Sequence, residues 1–428
     1  MHIMKQTLSI LTVALLFFAS CKKQEEEKIN YLVDESVKTR IDSTLQSFID
    51  LGDVAGASAL IFENGEEVYY NAFGHADLKN KKPMERNTLV QIYSMTKPIT
   101  GTALMTLYEE GKFQLDDPLE KYAPEFANMQ VYTGYDSIAG EMILEPAKRA
   151  ITIRDITRHT AGFSGRRDLP GLGEAIAEAD ALNRENTLAD MAKKLSSVPL
   201  GYHPGEHWEY GISVDVQAYL VELLSGQPYA EYVQEHVLDP LKMNETRYFV
   251  PESDRNRMSS AYRHDGDSLI QLPNEEAHAY NYAKWPLTPG GWGFTSTLDN
   301  YMRFAQMLVN KGTLEGVQVL DSTTVKLMAT NHLDESIEER SWLPSKGQVG
   351  FGIDFAVRLR PPASAEENNG VVGEFFWDGA ASTLFWVDPV NDLTAVFFVQ
   401  IFPFNGTLHK RFRDAVYGPY TQEESTPE

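Results

Sequence analysis

Strand-forming segments stand at both ends of this chain, and a loop-rich, helical stretch of about residues 115–330 separates them. Near the start, residues 57–62 and 68–73 read as short strands, with Asn64-Gly65 between them as a strong hairpin signal. Far down the chain, residues 350–357, 374–387 and 393–402 are rich in aromatic and β-branched residues, with a turn over residues 388–392. Strands at both ends around a helical middle predict one sheet built from distant halves of the chain. Helices then flank it, and a mainly helical region is inserted between its halves. That is an α/β chain of the α+β sandwich kind. Val37, Ile41, Leu45 and Phe48 recur at helical spacing after Asp34, a cap residue. Further helices are expected over residues 215–224, ending at Gly226, over 298–308, capped by Ser296 or Thr297, and over 408–417.

The front of the chain reads as an address. Lys5 precedes an apolar run over residues 8–18, too short to span a membrane as a mature helix, and Phe18-Ala19-Ser20 leads into Cys21. Small residues before a lone Cys resemble a lipoprotein signal, cleaved ahead of Cys21 and lipidated there. Cys21 is the only cysteine among the 428 residues, so no internal disulfide can form. The expected organisation is a signal peptide over 1–20, a lipidated tether over 21–33, a single large domain over 34–418 and a polar tail over 419–428. The protein is thus expected to be exported and held in the cell envelope, in the periplasm or on the outer surface, with the membrane as a partner through its anchor. The formal net charge is −23, becoming −24 once Lys5 is removed, which argues against nucleic acid or an anionic membrane face as partner.

Chemistry is written in Ser94-Met95-Thr96-Lys97, at the start of an expected helix bearing Leu104, Leu107 and Tyr108 and ending at Gly111. Residues three apart share a helix face, so Lys97 can reach Ser94. A serine hydroxyl needs a base, and a lysine amine lowered in pKa by burial can serve. Gly162-Phe163-Ser164-Gly165-Arg166 fails the Gly-x-Ser-x-Gly pattern of an α/β-hydrolase elbow. His203 and His207 are separated by Pro204 and Gly205, which oppose the helix a metal pair would need. His159 reads as a structural residue at a helix end. No metal and no cofactor is expected.

Taken in order, the motifs resemble the serine β-lactamase-related hydrolases: class C β-lactamases, D-alanyl-D-alanine carboxypeptidases and the esterases of that superfamily. The resemblance runs over residues 35–418. Ser94-x-x-Lys97 matches the first motif, Ile151 to Phe163 is similar to the family's "TIRDLLTHTSGL" segment, and Tyr210-Gly211-Ile212 stands at the Tyr-x-Asn motif. Gly290 to Thr297 is similar to "GGL-STA", and Trp377-Asp378-Gly379 occupies the third motif. A β-lactamase/transpeptidase-like fold is implied, with an antiparallel sheet from both chain ends, flanked by helices, and a mainly helical region inserted. Ile212 replaces the motif's Asn, and Trp377-Asp378-Gly379 replaces Lys/His-Thr/Ser-Gly, so the cation that binds a substrate carboxylate is gone. Trp377 is closest to the Trp-Gly-Gly of the esterase branch, the family VIII carboxylesterases. Asp378 is expected to put a negative charge near the acyl site.

The resemblance implies Ser94 as nucleophile, Lys97 and Tyr210 sharing base and acid roles, and the backbone N–H groups of Ser94 and Ala380 as oxyanion hole. Trp377, Asp378, Gly379 and Ile212 are the expected substrate-binding residues. The implied reaction passes through an acyl-enzyme, on neutral short-chain esters. The alternatives are a D-Ala-D-Ala carboxypeptidase or peptidase, a weak β-lactamase, or a sensor lipoprotein that acylates without turning over.

Overall fold

The computed structural model describes residues 31–266 and 268–421. The expected signal peptide, Cys21, all of the tether before residue 31 and the last residues of the tail lie outside the described residues.

The first helix, α1 (Glu35–Asp50), starts where Asp34 accepts hydrogen bonds from the Ser36 and Val37 amides, a cap that contributes about 1 kcal/mol. Its buried stripe is Val37, Ile41, Leu45 and Phe48. Strands β1 (Gly56–Glu63) and β2 (Glu66–Asp77) follow as a hairpin about Asn64 and Gly65, both at positive φ, and β3 (Lys82–Pro83) edges the sheet. Helix α2 (Thr96–Glu109) carries Lys97, helix α3 (Ser213–Ser225) lies against it, and α4 (Leu298–Val309) precedes the C-terminal strands. Those strands are β4 (Val349–Phe351), β5 (Ala356–Arg358), β6 (Phe375–Asp378), β7 (Leu384–Asp388) and β8 (Leu393–Phe398), and α5 (Gly406–Tyr417) closes the domain.

The main sheet has eight strands in the order β4-β5-β6-β7-β8-β1-β2-β3. Every pairing is antiparallel. The seam between the chain halves is β1 on β8, with Leu60 opposite Val396 and Ser58 opposite Phe398. Neighbouring residues of β7 show how the two faces are covered. Trp386 packs on Phe412 and Tyr417 of α5, while Phe385 packs on Tyr301 and Phe304 of α4. The terminal helices α1 and α5 share the first face, where Phe397 meets both Phe48 and Phe412.

Three sequence expectations change. The run over 374–387 is two antiparallel strands, β6 and β7, with a turn over residues 379–383 between them. The run over 350–357 is two strands with a tight turn at Gly352-Ile353-Asp354, Asp354 having φ 59°. All ten residues from Val349 to Arg358 are buried, so no polar interruption marks the turn. The segment 393–402 likewise ends its strand at Phe398, and Ile401–Phe402 pairs instead with Tyr262 and Arg263 in a second, three-stranded sheet. The middle region also holds a hairpin, Gln130–Asp136 with Glu141–Pro146, besides its helices. No helix among the described residues is long and apolar enough to cross a membrane.

Candidate active site

Ser94 sits in a single 3-10 turn, Tyr93–Met95, that runs directly into α2. Tyr93 is left-handed at φ 46°, a conformation costing a side chain roughly 1 kcal/mol or more, so its surroundings must hold it. They do so through the Ile92 amide on Phe294 O (3.0 Å), the Tyr301 hydroxyl on Met95 O (2.8 Å) and the edge of Tyr93 against Phe402. The effect is to present Ser94 half-exposed at the edge of a buried turn.

Lys97, one helical turn on, is 5% exposed. Its Nζ donates to Gly291 O at 2.7 Å and to Ser94 Oγ at 3.3 Å. Gly291 arrives because Val90–Gln91 pairs with Thr295–Ser296. A Cβ at Gly291 would stand 3.1 Å from both Lys97 Nζ and Asp215 Oδ2, so glycine is what lets this backbone close on the amine. Tyr210 completes the group from the other side, its ring centroid 4.6 Å from Lys97 Nζ. Its hydroxyl accepts a hydrogen bond from Trp377 Nε1 at 3.1 Å. The structure therefore brings Ser94, Lys97, Tyr210 and Trp377 into one continuous contact chain.

Gly379 lies under the 3-10 turn: a Cβ there would come within 2.6 Å of Ile92 O. This close approach sets the exposed residue Ala380 beside the Ser94 segment. Ile212, half-buried, lines a cavity of about 390 Å³ together with Lys97, Tyr210, Phe163, Val198 and Trp292. Two exposed charges of opposite sign, Arg167 and Asp180, also border it.

Asp378 is not where the sequence reading put it. Trp377 packs on Tyr210 and Phe351, whereas the Asp378 carboxylate is bound by the ammonium of Lys346, both side chains being more than nine-tenths buried. Successive strand residues face opposite ways, so Trp377 and Asp378 cannot both address the acyl site. The expected negative charge there is absent, because it is turned away and neutralised.

Three neighbours of the site escaped sequence reading. Asp215, fully buried on α3, accepts from the Gly291 amide at 3.0 Å, so the Gly291 peptide links it to Lys97. Burial pushes its carboxyl up to about 6, against the opposing pull of Lys97. Asp354 is buried behind α2 with Gln217 Nε2 on its Oδ1 at 3.1 Å, and burial holds its carboxyl well above the usual range. Trp342 packs edge-on to Tyr210 at 5.1 Å. A lone acid in the apolar run Val214-Asp215-Val216 was the one available signal. His159, at φ 60° just past a short helix, is buried against Tyr210, Trp208 and Phe351, and desolvation keeps it neutral. His203 bonds Glu145 and His207 stacks on Tyr202, so the two do not converge. Among the described residues no cluster of three or more His, Cys, Asp or Glu could hold a metal.

Asp215 gives a pH signature. Folding holds its proton up to about pH 6, against 3.8 for the free group, so its contribution to stability declines as pH rises through that window. The decline amounts to as much as roughly 3 kcal/mol. Asp215→Asn removes it. The melting temperature of the wild type minus that of Asp215→Asn should therefore fall from about pH 4 to about pH 6.5. A flat difference would show that the carboxyl is ionised throughout.

The Beta-lactamase family model matches residues 41–417. The chain is similar to Protein Rv1367c of Mycobacterium tuberculosis (strain ATCC 25618 / H37Rv), 31% identical over 366 residues that cover 84% of this chain and 89% of the relative. It is similar to Esterase EstB of Burkholderia gladioli, 26% identical over 408 residues covering 89% and 95% of the two chains. Among solved structures, EstCE1, described as a hydrolase with promiscuous acyltransferase activity, superposes with a TM-score of 0.74 at 25% identity, covering 90% of this chain and 100% of that one.

Proposed function

The chain belongs to the beta-lactamase family and is a serine hydrolase, and from that premise we propose that it is an esterase acting on neutral, short-chain esters through an acyl-enzyme at Ser94. The carrying observation is what stands at the third motif. In place of a cation, Trp377 is fully buried and gives its indole N–H to Tyr210. The cation nearest this strand, Lys346, is buried and taken by Asp378. A substrate carboxylate finds no cation at this motif, whereas an ester's alkyl groups meet the apolar wall of Phe163, Val198 and Ile212 in the adjoining cavity. The similarity to Esterase EstB agrees with this reading.

In this mechanism the Lys97 amine takes the Ser94 proton as Oγ attacks the ester carbonyl. The 3.3 Å approach and the Gly291 carbonyl, which orients Nζ, support that role. Tyr210, stacked over the same amine, passes a proton to the departing alkoxide. The N–H groups of Ser94 and Ala380 hold the tetrahedral oxyanion. Water, activated by the same Lys97–Tyr210 pair, then releases the acid. The sequence of the leader further supports a cell-envelope lipoprotein anchored at Cys21.

The test is a substrate comparison on the purified enzyme: p-nitrophenyl butyrate, a chromogenic cephalosporin and a D-Ala-D-Ala peptide. Loss of a charge-assisted hydrogen bond to the substrate carboxylate costs about 1.5–3 kcal/mol, so kcat/KM for the ester should exceed that for either carboxylate substrate by about tenfold or more. A higher kcat/KM on the cephalosporin or the peptide would replace this reading with a β-lactamase or a carboxypeptidase.

A further inference from the structure

Trp342 and the segment that carries it have no part in the mechanism above, yet that segment is tied down on two sides. Toward Tyr210, the Trp208 amide donates to Glu339 O at 2.8 Å and Ser341 Oγ donates to Glu209 Oε2 at 2.6 Å. Toward strand β6, the Lys346 ammonium binds the Asp378 carboxylate. That ammonium also lies among three aromatic rings, 4.0 Å from the centroid of Phe404, 5.3 Å from Trp342 and 5.8 Å from Trp377. Between these anchors, Trp342 packs edge-on to Tyr210 at 5.1 Å and stacks with Trp377 at 6.0 Å and 30° between planes. It remains 41% exposed. The apolar cavity uses the flank of Tyr210 formed by Gly211 and Ile212, and Trp342 stands on the aromatic flank with Trp377.

We propose that Trp342 is a specificity-determining residue that recognises a flat aromatic alcohol group of the ester, and that Lys346 and Asp378 are the positioning residues that fix it. The proposal rests on the esterase reading and names the substrate class more narrowly: aryl esters whose acyl chain enters the cavity and whose ring lies against Trp342. An exposed indole on a mobile loop would lose that contact to rotational freedom. A buried ion pair on the same short turn removes the freedom, because moving Lys346 outward would strand the Asp378 charge. It also gives Asp378, at a position where the esterase branch is expected to hold glycine, a physical reason to be acidic.

The experiment compares 2-naphthyl butyrate with 2,2,2-trifluoroethyl butyrate, one acyl group on a flat and a small alcohol. Trp342→Ala should raise KM for the naphthyl ester about threefold to tenfold, the value of one aromatic contact, and leave the trifluoroethyl ester within about twofold. Trp342→Phe should recover most of the loss. Lys346→Met and Asp378→Asn should shift the same ratio in the same direction. If either single variant does not fold, Lys346→Met/Asp378→Leu, which replaces the pair by apolar side chains, is read instead. Equal losses on both esters, or an unchanged ratio in Trp342→Ala, overturn the role of Trp342. An unchanged ratio in the folded pair variants overturns the positioning role. Hydrolysis of neither ester by the wild type overturns the esterase reading itself, and this proposal with it.

Discussion

Ser94→Ala is expected to lower kcat/KM for p-nitrophenyl butyrate by about four orders of magnitude or more, the loss that follows removal of a covalent nucleophile. Folding should hardly notice. Ser94 is half-exposed, and its Oγ is held by Lys97 at the long distance of 3.3 Å. The turn itself is secured by Ile92, Met95 and Tyr93 rather than by the hydroxyl. The melting temperature should stay within about 3 °C of the wild type. Stopped-assay kinetics with thermal unfolding on the same preparation checks both halves. Activity within about tenfold of wild type would remove Ser94 from the chemistry.

The second large effect concerns Lys97 and Tyr210 together. Lys97→Met and Tyr210→Phe should each lower kcat by about 10²–10⁴-fold, the usual range for a positioned acid or base. The double variant should lie within about tenfold of the weaker single one, because groups that move one proton act as a unit. Tyr210→Phe is the cleaner change. The ring keeps its packing against Trp208, Trp342 and Trp377, and only the hydroxyl that accepts from Trp377 is lost. Lys97→Met also leaves Gly291 O without its donor, so a modest fall in stability should accompany it. Multiplicative losses in the double variant would show that the two side chains serve different steps.

Much of this architecture was legible in the sequence. Asp34 and the Val37, Ile41, Leu45, Phe48 stripe define α1 by local rules, and Asn64-Gly65 defines its hairpin. The sheet shared between chain ends followed from strands at both ends around a helical middle. The turn at Gly352 to Asp354 was hidden because a strand buried on both faces has no alternation to break. The motif residues Ser94, Lys97, Tyr210 and Trp377 do meet, as the ordered motifs imply. Asp378 was misplaced for a reason present in the sequence itself. It neighbours Trp377 on a strand, and period-two alternation sends one of them to the far side. Its partner Lys346 was beyond reach, since nothing local distinguishes a loop lysine that ends up buried against a strand 32 residues later. Asp215 was hidden in another way. Its role passes through the Gly291 backbone, and a peptide contact between distant segments leaves little trace in composition.

A covalent acyl-enzyme at Ser94 is read directly by acid-quenched intact-mass analysis followed by peptide mapping. Wild-type enzyme mixed with excess p-nitrophenyl butyrate and quenched during turnover should gain the mass of one butyryl group. The adduct should map to Ser94, decay once substrate is exhausted, and be absent from Ser94→Ala. Turnover with no adduct at any quench time, or an adduct on another residue that decays at the catalytic rate, would contradict it.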